Sequence, residues 1–145
     1  MAKKRNGRLP SRITPPSQYT QGVEFNASQK GAVKHAYFSF RYIDTGSYCI
    51  KKCSIEQFRS ISDKLRILSG LDWGTIDTSP RETNGYEMLP VSELKSASPP
   101  PPFSNETQVV VFRFGGKKGR IVGIKRDSMF YVLFIDHNFT LYDHG

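Results

Sequence analysis

From residue 35 the chain alternates. In HAYFSFRYI, Ala36, Phe38, Phe40 and Tyr42 fall on one side of an extended strand and Tyr37, Ser39, Arg41 and Ile43 on the other. Asp44-Thr45-Gly46-Ser47 supplies turn chemistry, and residues 48–52 can run back as a second strand, so the pattern predicts a β-hairpin. The period then lengthens. Ser54-Ile55-Glu56-Gln57 has the form of a capping box, and Phe58, Ile61, Leu65 and Leu68 follow at spacings of three and four. With Gly70 as terminator, these residues predict a helix over 55–69 whose apolar stripe faces a core. LDWGTIDTSP reads as a short helix or turn stopped by Pro80, with Trp73 in the core. Residues 81–95 are mixed, with Tyr86, Met88, Leu89 and Leu94 as apolar anchors. SASPPPPF, residues 96–103, lacks the amide donors a helix or central strand needs, and predicts a stiff polyproline connector.

Four apolar runs close the chain: TQVVVFRF, GRIVGIKR, MFYVLFID and FTLYDHG, separated by GGKK, DS and HN. Their length and their Val, Ile, Phe and Tyr content predict a four-stranded antiparallel meander. MFYVLFID is apolar on both faces, as a central strand covered on both sides would be. The fold class expected is therefore α+β, with an N-terminal β-hairpin, one long helix at 55–69 and the meander at the C-terminus.

Composition adds a boundary. The 145 residues suit one domain at 34–145 behind an arm at 1–33 that is polar and rich in Pro and Gly. Net charge is +8, but residues 1–35 hold seven Lys or Arg against the single Glu24, a balance of +6. The remaining 14 basic and 12 acidic residues leave the body at +2. The arm reads as a solvated tail, or alternatively as a basic arm lying along nucleic acid. No stretch approaches the roughly 20 apolar residues of a membrane span, and the basic start lacks the apolar segment of a signal peptide. A cytoplasmic protein with no membrane partner is expected. Cys49 and Cys53 are expected as thiols, since structural zinc wants four ligands.

The closing runs also carry the candidate chemistry. Between residues 113 and 126 lie Arg113, Lys117, Lys118, Arg120, Lys125 and Arg126, with no acid among them. Arginines displayed from adjacent strands would form a concave positive face, and their forked donors fit phosphate oxygens. For Lys117 and Lys118 the plainer account is protection of a sheet edge. His137, Tyr142 and His144 follow, and histidine exchanges protons near neutrality. RNA can be cleaved by its own 2′-hydroxyl, given a base, cations on the phosphate and a proton for the leaving group. Such a site needs no cofactor and no metal. The plainer account makes HN a favourable turn pair and YDHG a frayed terminus. Asp136 and Asp143 flank the histidines and could orient them or hold magnesium, and GGKKG lacks the spacing of a nucleotide-phosphate loop.

From Gly85-Tyr86-Glu87 through VVVFRFGGKKGRIVGIKRDSMFYVLFIDHN to Tyr142, the layout resembles the RelE/ParE toxin superfamily of bacterial toxin–antitoxin systems. The resemblance implies a small basic α+β protein that cleaves messenger RNA at the ribosome without a metal, and an antitoxin that masks the site. It implies Arg113 and Arg120 as phosphate-binding arginines, His137 or His144 as acid/base, and Tyr142 as the tyrosine near the C-terminus. Lys117, Lys118, Lys125 and Arg126 are the accompanying candidates for nucleic-acid contact. Family members usually begin with one strand and a helical hairpin, whereas the pattern here places a β-hairpin before one long helix. The alternative reading is a non-enzymatic module binding nucleic acid or protein, such as a phage or plasmid factor that inhibits a host machine.

Overall fold

The computed structural model describes residues 34–116 and 118–144; the expected arm at 1–33 and Lys117 lie outside the described residues. Helix α1 (Ile55–Ser69) begins where the sequence says it should. Ser54 Oγ accepts from the Gln57 amide at 3.1 Å, and Gln57 Oε1 accepts from the Ser54 amide at 2.9 Å. Two of the donors that every helix N-terminus leaves open are thus satisfied reciprocally. Ile61 and Leu68 are buried by this helix and Leu65 half-buried, but Phe58 remains 52% exposed. The expected stripe is therefore shorter than the spacing suggests. A second helix, α2 (Trp73–Asp77), is capped by the Asp72 carboxylate, which accepts from the Thr75 amide at 2.8 Å.

Five strands form one mixed sheet: β1 (Tyr37–Ser39), β2 (Glu87–Pro90), β3 (Gln108–Phe114), β4 (Gly119–Arg126) and β5 (Met129–Asp136), in the order β1-β5-β4-β3-β2. Strands β3 to β5 are the first three runs of the expected meander, joined by tight turns. At Gly123 a Cβ would lie 2.0 Å from the Tyr131 carbonyl oxygen. Beside a register shift between Val122 and Gly123, only glycine lets β4 and β5 approach this closely.

Two expectations are corrected. The N-terminal hairpin does not form: β1 pairs parallel with β5, and Ile50–Lys52 make a 3₁₀ turn instead of a return strand. The edge of β5 competes successfully for this segment, since the Asp44 amide donates to Leu133 O at 2.8 Å and the Ile135 amide to Tyr48 O at 2.8 Å. The fourth meander strand is also absent, because residues 139–144 turn back instead of extending. The far edge is filled by β2, antiparallel to β3, a four-residue strand ending at Pro90. Proline is tolerated there because an edge strand leaves one side's amides unpaired.

Both faces of the sheet are covered. On one, Val110, Phe112, Phe114, Ile121 and Phe130 pack with Ile61, Leu68, Trp73 and Ile76 from the helices. On the other, Val111, Val122, Ile124 and Phe134 are covered by Tyr48, Phe103, Leu141 and Tyr142, with no helix among them. Phe103, the last residue of the proline-rich connector, is 1% exposed and anchors it. The expected open arginine face is thus roofed by loops, which is what gives the arginines beneath it an enclosed setting. Among the described residues no helix is long and apolar enough to cross a membrane.

Candidate active site

Register builds the site. Arg113 on β3 stands opposite Arg120 on β4, and Arg120 stands opposite Asp136 on β5. Directly paired residues share a face, so the three side chains form a row across the roofed side of the sheet. Arg120 is 9% exposed and Asp136 fully buried. Two guanidinium groups held opposite each other repel, and among the described residues no carboxylate forms an ion pair with either.

Asp136 is instead the anchor of the returning tail. Its Oδ1 accepts from the Thr140 amide at 2.9 Å and the Leu141 amide at 3.2 Å. Its Oδ2 accepts from His144 Nε2 at 3.0 Å. Because a carboxylate only accepts, Nε2 carries a proton and points at Asp136, which directs Nδ1 away from the carboxylate. The His144 ring lies 4.0 Å from Tyr142 and 4.8 Å from Phe139, centroid to centroid. Phe139 takes a left-handed backbone angle, φ 59°, which costs a non-glycine residue about 1–2 kcal/mol and is held by the Asp136 turn. The Phe139 ring covers the Arg120 guanidinium at 5.2 Å.

Among the described residues, the buried side-chain polar atoms without a hydrogen-bond partner are Arg113 Nε, Arg120 Nε and Tyr142 Oη. Such a donor left unsatisfied costs about 1–3 kcal/mol. All three belong to this corner. Arg120 does satisfy one donor, Nη1, on the Gly119 carbonyl at 2.9 Å. Burial raises the pKa of the Tyr142 hydroxyl and Glu87 adds to the rise, while the charge and donors of the neighbouring Arg120 guanidinium oppose it. Tyr142 therefore stays protonated across the physiological range.

The other candidates lie elsewhere. His137 donates through Nε2 to the Ser47 carbonyl at 3.1 Å, and no hydrogen bond or ring contact joins it to His144. Lys125 places its ammonium 4.8 Å from the Trp73 ring centroid, on the helix-covered face. Arg126 pairs with Glu106 at 3.0 Å and stacks on Phe103 at 4.5 Å. Six residues of strand, about 20 Å, separate it from Arg120. Lys118 lies exposed in the turn before β4, and Asp143 pairs with Lys95, which lowers its carboxyl pKa. Cys49 and Cys53 are free thiols, and burial raises the Cys53 pKa, with Cys49 adding to it. Among the described residues no group of three His, Cys, Asp or Glu could hold a metal ion.

Two contributors escape a reading of pattern alone. Phe139 roofs Arg120 from a turn that alternation cannot describe. Gln57, visible in the sequence only as a cap, also donates to the Lys118 carbonyl at 3.1 Å and the His137 carbonyl at 2.7 Å. It thereby ties the start of α1 to both segments that flank the site. Gln57→Ala removes these bonds and half the capping box, and is expected to lower unfolding free energy by about 1–2 kcal/mol in urea denaturation.

No protein-family model, curated protein or solved structure matches the chain.

Proposed function

We propose that this chain is an RNA-directed endoribonuclease that works without a metal, of the kind its RelE/ParE resemblance suggests. The observation that carries the reading is the convergence of two unpartnered arginine Nε atoms and an unpartnered tyrosine hydroxyl beside a histidine held by a buried carboxylate. An anion with several acceptor oxygens satisfies all three orphaned groups and relieves the repulsion between the arginines. A phosphodiester is such an anion.

The chemistry then assigns itself to these side chains. Arg113 and Arg120 hold the non-bridging oxygens and stabilise the charge that grows on them in the transition state. His144 Nδ1 takes the proton of the 2′-hydroxyl, while Asp136 fixes the ring and stabilises the imidazolium that results. The 2′-oxygen attacks phosphorus and the bond to the 5′-oxygen breaks. Tyr142, kept protonated, gives the departing oxygen its proton. The products are a 2′,3′-cyclic phosphate and a 5′-hydroxyl. DNA, lacking the 2′-hydroxyl, is not cut. On this reading the partners are RNA, with ribosome-bound messenger RNA as the implied substrate, and an antitoxin.

A second reading, a binding module without chemistry, is favoured by the enclosure of the cluster, where Arg120 is 9% and Tyr142 4% exposed. One experiment separates the two. Full-length protein incubated in EDTA with RNA, free and ribosome-bound, is expected to yield fragments ending in 2′,3′-cyclic phosphate. RNA that is bound but left intact supports the binding module, and RNA neither bound nor cut contradicts both.

A further inference from the structure

A second surface lies on the helix-covered side of the sheet, apart from the row of arginines. Phe40, Ile50, Phe58, Ile61, Ser62 and Leu65 line a pocket of about 350 Å³ between α1 and the chain leaving β1. Its walls are left open to an unusual degree. Phe40 is 40% exposed and Phe58 52%, and Ile55, one turn before Phe58 on α1, is 68% exposed. Single exposed apolar residues need no explanation, but a contiguous group around a concavity marks a contact surface.

The charges around it say what kind. Ile55, Arg59, Ser62 and Arg66 recur at spacings of four, three and four, so they share one side of α1, along the pocket's rim. Glu56 and Asp63 flank that row within one helical turn of Arg59 and Arg66, on the side away from the pocket. Across the pocket, Phe40 is followed by Arg41, and Ile50 by Lys51 and Lys52. All five basic residues are exposed, and among the described residues none of them is in an ion pair. An apolar cleft rimmed by five cations, against the two carboxylates of Glu56 and Asp63, is complementary to an apolar ridge flanked by carboxylates.

We propose that this groove is a docking site for an acidic amphipathic helix of a partner protein. Apolar side chains one helical turn apart enter beside Phe40 and Phe58, and carboxylates on either side meet Arg59, Arg66, Lys51 and Lys52.

The test is selection against the full chain from a displayed random library of peptides about 16 residues long, roughly four helical turns. Enriched peptides are expected to carry apolar residues at i, i+3 or i+4, and i+7 on a net-acidic background. Their affinity is expected to fall at least about tenfold on Phe58→Glu, and about tenfold on combined Arg59→Glu and Arg66→Glu, with the loss growing at low salt. Both substitutions are at exposed positions, and thermal unfolding checks that the domain persists. Enrichment of basic or extended peptides, no enrichment, or unchanged affinity on Phe58→Glu overturns the proposal. So does binding of phosphatidylserine vesicles that is lost on Phe58→Glu while no acidic helix binds, since the face would then be a lipid surface.

Discussion

Phe112→Ala is expected to lower the free energy of unfolding by about 3–5 kcal/mol, the usual cost of emptying a large aromatic site in a packed core. Phe112 is 1% exposed on β3, and its ring meets Phe130 at 5.2 Å, Tyr86 at 5.7 Å and Trp73 at 6.4 Å. These partners come from β5, from the segment before β2 and from α2, so one side chain joins much of the helix-covered core. None can close the gap without leaving its own contacts. Against a total stability of about 5–15 kcal/mol for a single domain, the loss brings the variant close to unfolding at room temperature. Phe58→Ala is the control. Both phenylalanines stand in a regular apolar spacing, yet Phe58 is half exposed, so its replacement is expected to cost under about 1 kcal/mol. Urea denaturation of the two variants reads the difference. Equal losses would contradict the assignment of Phe112 to the centre of the core and Phe58 to its rim.

That pair also shows how far the sequence speaks. Alternation in VVVFRF correctly divides Phe112 from Val111 because adjacent strands impose a period of two whatever covers them. Ser54 and Gln57 mark the helix start because their bonds are local. What escaped depends on partners that strand composition does not reveal. Residues 48–52 have strand composition, but the edge of β5 offers residues 44–48 better backbone partners than β1 does. FTLYDHG has a strand's composition too, yet the Asp136 carboxylate takes its amides at Thr140 and Leu141 and turns it across the sheet. Local propensity cannot weigh a side-chain acceptor against a neighbouring strand.

The site follows the same division. Because β3 and β4 are joined by a short turn, the opposition of Arg113 and Arg120 was nearly implicit in GGKKG. Their enclosure was not, since it depends on Phe103, Leu141 and Tyr142 arriving from other parts of the chain. Sequence could not choose between His137 and His144. The geometry separates them: His137 faces the Ser47 carbonyl, and His144 faces Asp136.

Comparing these two histidines in the RNA-cleavage assay, with EDTA present and thermal unfolding confirming each fold, decides whether the proposed Asp136–His144 pair is catalytic. A general base contributes about 10²–10⁴-fold to such a reaction. His144→Ala is accordingly expected to slow cleavage by about that factor, because the proposed base is removed while Asp136 keeps its two backbone donors. His137→Ala loses one hydrogen bond to a loop carbonyl and is expected to cleave within about threefold of the unsubstituted protein. Cleavage unaffected by His144→Ala, or abolished by His137→Ala in a protein that remains folded, would contradict the assignment of catalysis to the Asp136–His144 pair.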